Sequence, residues 1–214
     1  MSDWKMDGKP ALVIMHMQKG IVGTSSWKKS AWHDDVAKAM KDARMIEHIQ
    51  DMLKAFRDKK LPVVFVSACP NPLRAVPAYG KLFKTIQEEN VDPEILTSAA
   101  TRESLEVIPE LGRRPDEPLL FNWLLGAFTN SGLDLILKRQ GVKTVVLAGF
   151  AAHSIVFTTA LQAADLWYSI IIPRDASISH PYLVKATETI MDTLAPNIAL
   201  VTSTADVIEH LQKW

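Results

Sequence analysis

Residues 143–160, KTVVLAGFAAHSIVFTTA, decide how this chain is read. Thr144–Ala148 is an apolar run of strand length, and it predicts a buried strand broken by Gly149. From Ser154 through Ala160, and on to Ala164, the pattern predicts a helix with Ser154 suited to cap it. Strand, turn and helix in that order are one step of a parallel α/β sheet. In such sheets ligands bind in the crevice beyond the carboxyl ends of the strands, and the first N–H groups of the new helix favour negative charge. A hydrolase would place a nucleophile on this turn. The turn offers Ala151, Ala152, His153, Ser154 and Ile155.

Working outward, Ala11–Met15 predicts the first buried strand, ended by His16. From Asp34 to Lys60 apolar residues recur three or four apart (Val36, Met40, Ile49, Leu53, Phe56), predicting one long helix. Val63–Val66 predicts the second strand, followed by a loop punctuated by prolines and a short helix at Lys81–Glu89. Residues 90–117 hold little periodicity, although Glu106–Leu111 (EVIPEL) suits a turn or edge segment. Leu119–Phe121 predicts a third strand and Ser131–Arg139 a helix. Beyond the central unit come a strand at Ser169–Ile172, a helix at Tyr182–Leu194, a strand at Ala199–Thr202 and a helix at Thr204–Leu211. The alternation predicts a parallel sheet covered on both faces, in one domain spanning 1–214.

Composition narrows the function classes. Lys plus Arg equals Asp plus Glu at 24 each, so no global field favours nucleic acid, a membrane surface or acidic substrates. Cys69 is the single cysteine, which excludes an internal disulfide and suits a reducing compartment. The polar start MSDWKMDGKP has no apolar signal core, and no apolar run nears the roughly 20 residues that span a bilayer. A cytoplasmic protein is the expectation. Six tryptophans are the oddity. Trp4 and Trp214 are terminal, whereas Trp27, Trp32 and Trp123 fall on loops or turns directed towards the ligand side. With Phe150, Ile155 and Phe157 they would line an aromatic cavity or bury a subunit interface. Arg113-Arg114 and Lys28-Lys29 read as solvated charge.

Four stretches in this order resemble the isochorismatase-like (cysteine hydrolase) superfamily, which includes nicotinamidases and N-carbamoylsarcosine amidohydrolases. They are ALVIMHMQ at 11–18, EVIPELGRRPDEPLLFNWLLGAF at 106–128, VVLAGFAAHSIVFTTALQAADLWY at 145–168 and RDAS at 174–177. The resemblance implies a Rossmann-like three-layer sandwich with a six-stranded parallel sheet, commonly in an oligomer. Matched position by position, it places His16 where the family carries its aspartate base, Asn122 where it carries its lysine, and Ile155 where it carries its cysteine. Nicotinamidases would show an Asp-x-His metal pattern after the second strand; here that region reads Ala68-Cys69-Pro70-Asn71-Pro72, so neither zinc nor a cofactor is expected.

Ile155 has neither a lone pair nor an ionisable proton, which excludes thiolate attack as the family performs it. Asn122 can orient a ligand but supplies no positive charge. His16, with an ordinary pKa of about 6.5, has the chemistry of a general base. His153 and Ser154 are adjacent in sequence, but adjacent side chains rarely face each other as a catalytic pair does. The resulting expectation is a triad-less homo-oligomer whose pocket (Trp27, Trp123, Phe150, Ala151, His153, Ser154) takes a small apolar or aromatic ligand. Two alternatives stand beside it: a hydrolase of an amide or vinyl ether that uses His16 to activate water, and a purely structural or interaction oligomer.

Overall fold

Strands built from residues buried on both faces dominate the computed structural model, which describes residues 4–22, 31–69, 99–123 and 125–214. β1 (Lys9–Met15) is followed by a single turn, α1 (Lys19–Val22), and by α2 (Ala31–Asp42) and α3 (Met45–Asp58). β2 (Val63–Ala68), α4 (Ala99–Leu105), a 3-10 turn at Pro109–Leu111 and β3 (Leu119–Asn122) come next. α5 (Leu133–Arg139) leads to β4 (Val142–Phe150), a π-helical turn at Ala152–Val156 and α6 (Phe157–Asp165). The chain closes with β5 (Ser169–Pro173), β6 (Ser177–Ile178), α7 (Val184–Thr189), a π-helical turn at Ile190–Leu194, β7 (Leu200–Thr202) and α8 (Thr204–Lys213).

The strands run parallel in the order β3-β2-β1-β4-β5-β7, and β6 adds a two-residue seventh strand against β4. Six strands were expected; the short β6 falls just after the proline that ends β5, too brief for any pattern to register. Alternation along each strand divides the core. Leu12, Ile14, Phe65, Val146 and Phe150 face one layer with Val36, Ile49, Phe56 and Leu211 of α2, α3 and α8. Ala11, Val13, Met15, Val66 and Leu147 face the other with Leu137, Ala160 and Ala163 of α5 and α6. Apolar side chains buried in this way are worth about 1.5–3 kcal/mol each, and the double coverage explains why the strands read as unbroken apolar runs.

Several expectations need correction. The long helix at 34–60 is two helices, because Arg44 adopts a left-handed conformation (φ 50°, ψ 33°) between them. Both stripes face the same core layer, with Met40 and Met45 buried, so the periodicity runs across the break. Gly149 does not break β4, which continues to Phe150. Ser154 makes no N-cap: α6 starts later, and the Ser154 hydroxyl lies 3.5 Å from the Ala151 carbonyl. The helix expected at Tyr182–Leu194 is a 3-10 turn, α7 and a π-helical turn in succession. The helix expected at Lys81–Glu89 lies outside the described residues. Asp175 of RDAS has a structural role: its carboxylate accepts from the Thr204 N–H (2.9 Å) and hydroxyl (2.8 Å). Beside it Ser203 and Asp206 form a capping box at the start of α8.

Candidate functional site

Beyond the carboxyl ends of β1, β2 and β3 polar side chains converge. β1 delivers His16 in a left-handed conformation (φ 56°), held by its N–H bond to the Val66 carbonyl at 2.7 Å. β3 delivers Asn122, which is buried and in register with Ala68 of β2. The His16 Nε2–H donates to Asn122 Oδ1 at 2.9 Å, leaving Nδ1 as the acceptor of a neutral ring. Buried Gln18 joins these strand ends. It donates to the Ala68 and Ser104 carbonyls (3.0 and 3.1 Å) and accepts from the Ala68 N–H at 2.6 Å. Gln18 stands in the first-strand motif ALVIMHMQ, three residues past the end of β1, and nothing local in the sequence marks it as a bridge between strand ends.

Burial sets the electrostatics. It pushes the His16 imidazole down to about 4, against a smaller upward pull from the Asn122 hydrogen bond. The Cys69 thiol, adjacent to Ala68, is pushed up by burial, and burial also lowers His153. All three are therefore uncharged at neutral pH.

The turn after β4 contributes to both core layers. Ile155 is buried in the core layer of Met15 and Val66, whereas Phe150 belongs to the opposite layer with Val146 and Ala148. Phe150 ends β4, whereas Ile155 sits in the π-helical turn that follows it. Ala151 is also buried in the Phe150 layer. His153 turns away from Ser154 and pairs with Ser179, whose hydroxyl accepts the His153 backbone N–H (3.1 Å) and meets ring Nδ1 at 2.8 Å. Trp32 stacks on His180 (5.5 Å, 21°) and meets Phe150 edge-on (5.9 Å). Trp123 follows Asn122 and is exposed; Trp27 lies outside the described residues. The turn after β3 is clasped by α6: Ala127 N–H donates to Thr159 Oγ1 (3.0 Å) and Phe128 N–H to Gln162 Oε1 (3.1 Å). Among the described residues no group of three or more His, Cys, Asp or Glu could hold a metal ion, and no helix is long and apolar enough to cross a membrane.

The isochorismatase domain model matches residues 10–206. The chain belongs to the isochorismatase family. A secreted isochorismatase effector of Verticillium dahliae is 35% identical over 71 residues, which are 33% of this chain and 37% of that protein. Matches to such relatives span between 37% and 45% of their own length. Among solved structures, an isochorismatase family protein from Burkholderia thailandensis is 25% identical with a TM-score of 0.74, covering 97% of this chain and 98% of that one. N-carbamoylsarcosine amidase from Thermoplasma acidophilum is also 25% identical, with a TM-score of 0.63, covering 92% and 96%.

Within this isochorismatase fold the half-buried His16 makes stability depend on pH. Its folded pKa lies below the ordinary value of 6.5, so the unfolded chain binds the proton first as pH falls. The stabilisation is present above 6.5 and is lost on going down to about 4, by roughly 3 kcal/mol in all. Urea unfolding of the native chain and of His16→Asn, followed from pH 7 to pH 4, isolates this contribution because other groups cancel in the difference. A difference that stays flat with pH would show that the His16 pKa is not lowered in the folded chain.

Proposed function

We propose that this isochorismatase-family chain is a non-catalytic member whose triad positions serve a small, uncharged, apolar or aromatic ligand. The observation that supports this most is the neutral His16–Asn122 pair. The family's aspartate and lysine would put opposite charges here, whereas His16 and Asn122 offer one acceptor at Nδ1 and no charge. Ile155, buried at the nucleophile position, supplies no reactive atom. Such a site holds a ligand through a single hydrogen bond and dispersion, as small-molecule pockets do.

The amide class comes first for testing because a structural relative is named as an N-carbamoylsarcosine amidase. Purified protein is expected to bind benzamide, detected by calorimetry, and to show no turnover of nicotinamide, N-carbamoyl amides or isochorismate. His16→Ala is expected to weaken benzamide binding about fivefold, the worth of one hydrogen bond. Steady turnover that disappears in His16→Ala would overturn this reading in favour of a His16-activated water. The low basicity of an imidazole with a pKa of about 4 argues against that route.

Assembly belongs to the same proposal. Trp167 is 93% exposed, and Leu135 and Leu161 of α5 and α6 are also exposed, apolar surface of the kind a second copy covers. Light scattering of the same preparation is expected to give a mass above one 23.8 kDa chain.

A further inference from the structure

β2 outruns its neighbour β1. Met15, the last residue of β1, is in register with Val66, and β2 continues to Ala68. The His16 N–H still donates to the Val66 carbonyl at 2.7 Å, but the left-handed backbone of His16 (φ 56°) turns the chain out of the sheet. Alternate residues of a strand present their N–H and C=O to the same neighbour, so Ala68, like Val66, faces the β1 side, where no strand remains. One side chain meets both of its groups. Gln18 Oε1 accepts the Ala68 N–H at 2.6 Å, and Gln18 Nε2 donates to the Ala68 carbonyl at 3.0 Å. The amide of Gln18 stands in for the missing rung of β1.

Three further contacts fix where that amide starts and how it lies. The Met17 carbonyl accepts the Ile108 N–H (3.0 Å), and the Lys19 N–H donates to the Glu106 carbonyl (2.9 Å), so the chain on either side of Gln18 is tied down. The amide Nε2 also donates to the Ser104 carbonyl at 3.1 Å. Gln18 is buried, and without its side chain the Ala68 peptide groups would lose their partners, which is costly away from water. On its other side Ala68 is the register partner of Asn122, and the Cys69 N–H donates to the Asn122 carbonyl at 2.9 Å. A line of contacts therefore runs from Gln18 through the end of β2 to Asn122. The bond from His16 to Asn122 Oδ1 (2.9 Å) closes it into a loop.

We propose that Gln18 is a positioning residue of the candidate site. It holds the end of β2 so that Asn122 receives the His16 Nε2–H, and it thereby keeps His16 Nδ1 as the bare acceptor. Gln18 acts through Ala68 and Asn122 and does not itself touch a ligand. The consequence for binding rests on the reading of His16 Nδ1 as the ligand's partner; the consequence for the His16 tautomer does not.

Nitrogen NMR of the imidazole rings at neutral pH tests this without a ligand, because protonated and bare ring nitrogens resonate far apart. His16→Asn identifies the His16 signals, and Asn122→Ala shows His16 without its partner. The native chain is expected to show Nε2 protonated and Nδ1 bare. Gln18→Ala is expected to show the mixed tautomers of Asn122→Ala. Val207→Ala, which truncates a buried core residue of α8, is expected to keep the native spectrum despite its lower stability. In calorimetry Gln18→Ala is expected to weaken benzamide about fivefold and to add nothing to His16→Ala, since both act on one contact. If Gln18→Ala does not fold, Gln18→Met, of similar length but without the amide, takes its place with the same expected results. A native tautomer in the Gln18 variant, the same spectral change in Val207→Ala, or losses that multiply in the double variant would overturn the proposal. Failure of benzamide to bind the native chain would overturn the ligand reading alone, and the tautomer would still decide the role of Gln18.

Discussion

Gly149→Ala is expected to leave little folded protein. Gly149 has φ +134°, a backbone region that residues with a Cβ rarely adopt. A Cβ there would fall on the Met15 carbonyl oxygen and within 2.8 Å of the Met15 nitrogen. Neither atom can move, because Met15 and Gly149 are register partners in the middle of the sheet and Gly149 also pairs with Ser177 of β6. Strain and backbone overlap together put the cost above about 4 kcal/mol, in the range that unfolds ordinary domains. Gly132→Ala is the matched control. Gly132 also has a positive φ (+78°), but nothing lies within 4 Å of where its Cβ would be, so its cost is the conformational one of about 1 kcal/mol. For a chain of this size each 1 kcal/mol lowers the melting temperature by about 2–4 °C. The control should melt within a few degrees of the native chain and Gly149→Ala at least about 10 °C lower. Near-equal melting of the two variants would mean that β1 and β4 do not approach as closely as their register requires. That register also positions His16, the residue after Met15, so the same glycine underlies the candidate site.

Gly149 also illustrates what could be read from the chain and what could not. The run Thr144–Ala148 announced a buried strand because both faces of β4 are covered, and the same logic located β1, β2 and β5. A glycine after such a run looks like a terminator. That it extends the strand depends on how near Met15 comes, and Met15 is 134 positions earlier in the chain. The break at Arg44 was hidden for a different reason: with α2 and α3 burying stripes in one layer, nothing in the apolar spacing changes, and no glycine or proline marks the place. At the site, His16 and Asn122 were singled out through family resemblance, and neither flanking sequence hints that their side chains meet. His153 does not pair with its neighbour Ser154, as adjacency alone suggests; its partner Ser179 follows β6, brought over by a two-residue strand too short to predict. Chemistry carried by local pattern was legible; chemistry carried by contacts across the sheet was not.

The segment joining α4 to β3 yields the second large effect. It reads EVIPELGRRPDEP, and a bidentate ion pair ties its second half to α3. Arg57 at the end of α3 grips Glu117 with two parallel bonds, Nε to Oε1 at 2.7 Å and Nη2 to Oε2 at 2.8 Å, and also donates to the Gly112 carbonyl at 3.0 Å. Glu117 is buried, and its Oε2 additionally accepts the Arg114 N–H at 2.8 Å. Arg113, expected to be free surface charge, is exposed but donates to the Glu117 carbonyl at 2.6 Å. Removing one partner strands a buried charge, so Arg57→Ala is expected to cost about 3–5 kcal/mol by urea unfolding. Glu117→Leu combined with Arg57→Met should cost distinctly less than Arg57→Ala, since replacing both charges removes the desolvation penalty as well as the attraction. An Arg57→Ala loss below about 1 kcal/mol would place the pair among ordinary surface bridges. The consequence reaches the site directly: the Pro118 carbonyl, one residue beyond Glu117, accepts the Phe65 N–H at 2.9 Å and starts the β2–β3 pairing that ends at Asn122. Loosening Arg57 from Glu117 should therefore weaken benzamide binding at His16 and Asn122 even under conditions where the variant remains folded, which calorimetry at low temperature can read.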